Sequence, residues 1–234
     1  NRTVDVQEPA FDGEKVILPA CTQDALNAYA ASGMLSAAQD YDIGGMQLPY
    51  TVEAAANAFF ACASVSMGAH MLTVGNANLL LAHGTPMQKQ LFAQRELSGL
   101  WAGTMCLSEP QAGSDVANLQ TQATRLNDGF VLQGHKSWIS NGGLADFYVV
   151  FAKTAPDAGS RGISAFIVDS KQPGLDDTAH MQVMSPHPLA RLSFTHCQIP
   201  SSQLLGELNA GFKLAMRTLD IFRTSVAGAA LGMG

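Results

Sequence analysis

At residue 101 the spacing of apolar side chains changes, and this change limits the fold more than composition does. Before it, apolar residues recur at three and four positions, the period of a helix. After it they alternate with polar ones, the period of a strand. Residues 119–126 (LQTQATRL) and 130–136 (FVLQGHK) alternate on either side of Asn127-Asp128-Gly129, a hairpin turn signal. Residues 147–153 (FYVVFAK), 162–168 (GISAFIV) and 190–199 (ARLSFTHCQI) read as further strands, and TAPDAGSR and DSKQPGLDD between them as turns. Short strands at this spacing predict an antiparallel barrel or sandwich. Helical periodicity returns from residue 206. The chain is therefore α+β, with a helical block at 1–100, a β block at 101–205 and a helix at 206–234.

Within the first block, residues 24–35 (DALNAYAASGML) are rich in strong helix formers. Val52, Ala55, Ala56, Phe59, Phe60 and Ala63 form the amphipathic stripe expected to face a core. Residues 67–84 are small and apolar throughout, as in a helix buried on most sides. Thr85 before Pro86 is an N-cap signal, and Gly99 a stop. In the last helix the core stripe is read as Phe212, Met216, Leu219, Val226 and Ala230.

Composition excludes several classes. The net charge is -6 and no run of Lys or Arg occurs, which argues against tracking nucleic-acid phosphates. The four cysteines are scattered without a CxxC pair, so a disulfide framework or zinc site is not expected and a reducing compartment is. Cys62 and Cys106 read as small core residues. No apolar run reaches the roughly 20 residues of a bilayer span, and no signal peptide is visible. The six histidines lack metal-ligand spacing, and His187, between prolines, is expected to be exposed.

Two stretches concentrate polar groups at strand ends. Residues 104–115 (TMCLSEPQAGSD) place Ser108, Glu109, Ser114 and Asp115 among glycine and proline, more than a turn requires. Residues 134–143 (GHKSWISNGG) flank Trp138 with Ser137 and Ser140 before an Asn-Gly turn. Each reads as a strand, then hydroxyls, then glycine, which suits a planar heterocycle with a polar edge. Trp138 has two readings, a core aromatic or a platform for such a ring. Arg223 shares a helix face with Met216 and Leu219 and has two readings as well: an ion pair with Asp220, or a pocket residue binding an anionic or carbonyl group.

Residues 105–115 (MCLSEPQAGSD) followed by 134–154 (GHKSWISNGGLADFYVVFAKT) resemble the acyl-CoA dehydrogenase family. YDIGGMQLP, LLLAHGTPMQKQLFAQRELSGLWAG and QIPSSQLLGELNAGFKLAMRTLDIFR extend the resemblance over most of the chain. It implies an N-terminal helical domain, a middle antiparallel β-barrel domain and a C-terminal helical bundle. The sequence is expected to hold the first two and the opening helix of the third. It also implies FAD, seated between the β domain and the bundle. By motif position, Met105, Leu107 and Ser108 would line the flavin's pyrimidine edge, Trp138 would lie against the rings, and Ser140 would sit near N5. Ser114 would touch the cofactor phosphates or the CoA, and Asp220 and Arg223 would border the acyl-CoA.

The activity implied is α,β-dehydrogenation of an acyl-CoA thioester, with electrons passed to an electron-transfer flavoprotein. A carboxylate takes the α-proton and the β-hydride goes to flavin N5. Homodimers or homotetramers are implied, in bacterial cytoplasm or the mitochondrial matrix. Glu109 is read as structural. No catalytic residue is expected among residues 1–234: the resemblance places the base far into the C-terminal bundle, and Phe222 stands where some members carry it instead. These residues alone are expected to bind FAD poorly. Ser185 and Leu189 replace the Arg and Thr of a family loop pattern. A flavin monooxygenase or oxidase on the same fold, or a non-catalytic flavin-binding relative, are the other readings.

Overall fold

The computed structural model describes residues 2–7, 9–13, 15–183 and 187–234. Helix α1 (Arg2–Val6) precedes a two-stranded ribbon, β1 (Ala10–Phe11) and β2 (Val16–Ile17). The ribbon corrects the all-helical reading of residues 1–100. Two-residue strands are too short to show alternation, and this pair is held from outside. Val16 N donates to Gly143 O at 3.0 Å, and the Phe11 ring meets His180 at 4.3 Å. Then come α2 (Ala20–Ala31), α3 (Tyr50–Ala63) and the buried α4 (Ala69–His83), whose Ala77, Leu79 and Leu80 are fully enclosed. Thr85 and Gln88 close a reciprocal capping box at the start of α5 (Pro86–Gln88). A π-helical turn, Lys89–Ala93, continues into α6 (Gln94–Leu97), and Gly99 at φ +74° ends it.

The β block is an eight-stranded sheet: β3 (Gly103–Cys106), β4 (Gln122–Leu126), β5 (Gly129–Ser140), β6 (Phe147–Lys153), β7 (Ile163–Asp169), β8 (Leu175–His180), β9 (Leu189–Pro200) and β10 (Leu204–Leu205). The order is β10-β7-β6-β4-β5-β9-β8, with β3 also against β6. Pairing is antiparallel except at β6, which β3 and β4 join in parallel. Asn127 and Asp128 make the predicted hairpin, with Leu126 opposite Gly129. Strand β8 was read as part of a turn. Its sequence, LDDTAH, is polar because it is an edge strand paired on one side only, to β9.

Strand β6 carries apolar residues on both faces because both are covered. Tyr148 and Val150 face a core with Phe130, Leu132, Phe166 and Phe194. Phe147, Val149 and Phe151 face a second core with Leu79, Leu80 and Phe92 of the helices. Helix α7 (Gly211–Met233) leaves the sheet through this second core, where Leu214 and Ala215 pack, and then runs along α3.

The α3–α7 contact overturns part of two predicted stripes, although Phe60, Phe212 and Met216 do pack against cores. The buried residues of α3 are Glu53, Ala54, Asn57 and Ala61, while Val52 is 48% and Phe59 79% exposed. Those of α7 are Gly211, Leu214, Ala215, Thr218, Ser225 and Ala229, while Val226 is 42% exposed. Small residues stand at the points of closest approach, where the helices meet backbone to backbone, and Glu53 and Asn57 are buried beside them. Cβ atoms at Gly228 and Gly232 would overlap the carbonyl oxygens of Ala54 and Ala58. Cys106 is buried as expected, but Cys62, near the C-terminal end of α3, is exposed.

Candidate functional site

Strand β3 ends at Cys106 and releases the segment Leu107-Ser108 beside β5. Glu109 then opens a tight turn, with Glu109 N bonded to Ala112 O and Ala112 N to Glu109 O. The Glu109 carboxylate is buried and accepts four donors. Thr121 N (3.0 Å) and Lys136 Nζ (2.8 Å) reach Oε1, and Gln120 N (2.5 Å) and Gln111 Nε2 (2.8 Å) reach Oε2. Burial alone would raise this carboxyl, but the Lys136 ammonium and the hydrogen bonds outweigh it and hold it below the usual glutamate range. Burial also pulls the Lys136 ammonium down, against the pull of Glu109. The carboxylate decides the state of the pair, because all four donors are already placed around it. Glu109 is therefore a structural anchor, as its motif position implied.

Lys136 was missed by sequence reading. It is fully buried and donates to Leu107 O (3.1 Å) as well as to Glu109. A signal existed: residue 136 shares its strand parity with the core residues Phe130 and Leu132. A lysine at an inward position calls for a partner.

Past Lys136, β5 is irregular. Its register against β9 shifts between Lys136 and Ile139, and Trp138 sits at φ +61°. This bulge turns the indole out of the sheet, leaving Trp138 57% exposed. The core reading of Trp138 is thus excluded. Ser137 N donates to Ser108 O at 3.0 Å, which sets the Leu107-Ser108 segment next to the tryptophan. Met105, Leu107 and Ser108 are half-buried, and Ser114 is exposed further along the loop.

Ser140 ends β5 with its Oγ 3.3 Å from His187 Nε2. The expectation of an exposed His187 is corrected: the ring is half-buried, and desolvation holds its pKa below the ordinary value. Asn141 N donates to Pro188 O (3.0 Å), binding the loop before β9 to the strand end. Ser185 lies outside the described residues, and Leu189 is buried at the start of β9.

On α7, Arg223 Nη1 meets Asp220 Oδ1 at 2.8 Å with both side chains about two-thirds exposed (67% and 69%). The ion pair is the predicted one, but the half-buried guanidinium is not found. Phe222 turns inward against α4, and a Cβ on Gly75 would lie 3.0 Å from its ring. Among the described residues no cluster could hold a metal ion.

An exposed aromatic face beside half-buried hydroxyls and backbone, with the neighbouring carbonyls drawn inward, fits a flat ring with a polar edge. Residues 104–197 match the family model described as acyl-CoA dehydrogenase, middle domain. A mitochondrial 2-methylacyl-CoA dehydrogenase of Solanum tuberosum is 34% identical over 203 residues, 85% of this chain and 49% of that protein. The chain belongs to the acyl-CoA dehydrogenase family. A short-chain-specific acyl-CoA dehydrogenase of Megasphaera elsdenii is 41% identical over 160 residues, 67% of this chain and 42% of that protein. The solved butyryl-CoA dehydrogenase of Megasphaera elsdenii superposes with a TM-score of 0.86 at 32% identity, covering 92% of this chain and 58% of that one. The chain spans about half the length of the curated relatives it matches. Acyl-CoA dehydrogenases are FAD-dependent flavoproteins.

Proposed function

We propose that residues 1–234 supply the flavin-facing β domain and part of the acyl-CoA site of a dehydrogenase that converts an acyl-CoA thioester to its 2-enoyl form. The observation that carries this reading is the outward Trp138, presented by a bulge beside Ser108 and Ser140, in a chain of this family. When bound, FAD supplies the two-electron acceptor.

In this reading Trp138 gives the ring system a surface to lie on. Met105, Leu107 and Ser108 meet its pyrimidine edge, and Ser140 stands by the hydride-accepting atom. Ser114 contacts the phosphates or the CoA, and Asp220 and Arg223 border the acyl-CoA. Glu109 does not act as the base, since both its oxygens are already occupied. In this reading the general base comes from outside residues 1–234, since position 222, its place in some members, is a phenylalanine turned into α4. Electrons leave to an electron-transfer flavoprotein, and the protein works as a homodimer or homotetramer. No described helix is long and apolar enough to cross a membrane. Relatives are mitochondrial and bacterial, and the same reading places this protein in the matrix or the cytoplasm.

The test is an anaerobic titration of the complete polypeptide with acyl-CoAs of increasing chain length. Bleaching of the visible flavin band with a new long-wavelength absorbance supports dehydrogenation and ranks the substrates. A bound flavin that no acyl-CoA bleaches overturns the reading.

A further inference from the structure

We propose that Lys136 is a positioning residue for the flavin: by holding the Leu107 carbonyl inward toward β5, it turns the Ser108 N–H outward to the cofactor's pyrimidine edge. The inference rests on the cofactor reading above, and no role for Lys136 follows from the motif resemblance.

The geometry follows from peptide planarity. In a trans peptide the C=O and the next residue's N–H point in opposite directions. Lys136 Nζ takes Leu107 O at 3.1 Å, so the Ser108 N–H points away from the ammonium. The next carbonyl, Ser108 O, is taken by Ser137 N at 3.0 Å, and the N–H of that peptide, on Glu109, is spent on Ala112 O. Two consecutive peptide planes are fixed from the β5 side. Ser108 is half-buried and Trp138, two residues beyond Lys136 on β5, is 57% exposed. A flipped 107–108 peptide would present an oxygen where the ring's edge also presents oxygens, and the two would repel.

A lysine is a costly way to join a loop to a strand. Apolar residues of similar volume often replace a buried ion pair at little or no loss of stability. A side chain without a donor, however, would leave the Leu107 carbonyl buried and unpaired, and the peptide would gain by flipping it outward. Glu109 neutralises Lys136, so the pair contributes orientation and no net charge.

The test uses the complete polypeptide and compares the double variant Lys136→Met/Glu109→Gln, which removes both charges together, with Gln88→Met. The buried Gln88 amide joins α5 to Ser202 O and to Leu204 O of β10, which three strands separate from β5 in the sheet. Three quantities are read: the FAD Kd by flavin fluorescence on titrating apoprotein, the position of the bound flavin's visible bands, and the apoprotein Tm. The proposal expects the double variant to raise Kd about tenfold or more and to shift the bands. Gln88→Met is expected to lower Tm while Kd stays within about twofold, because distant sites act independently. Should the double variant fail to fold, Ser108→Pro deletes the N–H itself while Ser108→Ala keeps it. The proline variant must then bind FAD more weakly than the alanine variant. A double variant with wild-type Kd and spectrum, or equal affinity of the two Ser108 variants, overturns the proposal. A wild-type polypeptide that takes up no FAD overturns the cofactor reading itself, which separates the two failures.

Discussion

Gly228 of α7 lies against the carbonyl oxygen of Ala54 in α3, with no room for a Cβ between them. One turn on, Gly232 meets the Ala58 carbonyl in the same way, so the two helices run in the same direction at backbone contact. This contact sets which face of each helix is covered. Gly228→Val is therefore expected to destabilise the protein by about 1–3 kcal/mol through overpacking. Thermal melts should show the loss, and the same change at the exposed Ala227 should leave Tm nearly unmoved.

Lys136→Met alone leaves the Glu109 carboxylate buried without its counter-charge, and is expected to cost about 3–5 kcal/mol. The pH dependence has a definite sign. Glu109 is held below the usual glutamate range when folded, so its contribution is present above the unfolded value and is lost as pH falls through the lower folded value. Tm of the wild type should hold through mildly acidic pH and drop only below the ordinary glutamate range. Lys136→Met/Glu109→Gln should lack that acid step.

Glu96 behaves in the opposite sense. Desolvation raises its carboxyl well above the ordinary value, although Asn76 Nδ2 donates to its Oε1 at 2.9 Å. Its Oε2 is buried without a hydrogen-bond partner. A raised folded pKa means that stability falls as pH rises from the unfolded value through the folded one. Glu96→Gln keeps the Asn76 contact and removes the ionisation. It is expected to raise Tm, by about 1 kcal/mol of stability near neutrality and by less in acid, as pH-dependent melts would reveal.

Trp138 combines an exposed ring with a left-handed backbone. Trp138→Gly relieves the positive φ and removes little buried surface. The apoprotein Tm is expected not to fall, while the FAD Kd rises about tenfold or more through the lost aromatic surface. Parallel apoprotein melts and flavin titrations check this, and a joint loss of both would mean that the indole is a packing residue.

Much of the architecture was decided locally and was readable. The Asn127-Asp128 hairpin, the Thr85–Gln88 capping box, the Gly99 stop and the four longest strands follow from residues close in sequence. The short ribbon β1–β2 and the edge strand β8 were not readable, because the groups that hold them, Gly143, β9 and the Phe11–His180 contact, join parts remote in sequence. The candidate site divides along the same line. Its loop and strand-end residues, Met105, Leu107, Ser108, Trp138 and Ser140, stand in two dense motifs that the sequence displays outright. Lys136, 27 positions from Glu109, and His187, 47 from Ser140, join the site only through pairing of distant strands and loops. The helix faces were the other failure. Hydrophobicity predicts Val52, Phe59 and Val226 inward, yet the closest approach of α3 and α7 is available only to glycine, alanine and small hydroxyl residues. The sequence by itself determined where helices and strands begin, end and turn, since those depend on local torsions and caps. Tertiary structure alone decided which face is buried and which buried charge meets which, because both depend on the distance between elements remote in the chain.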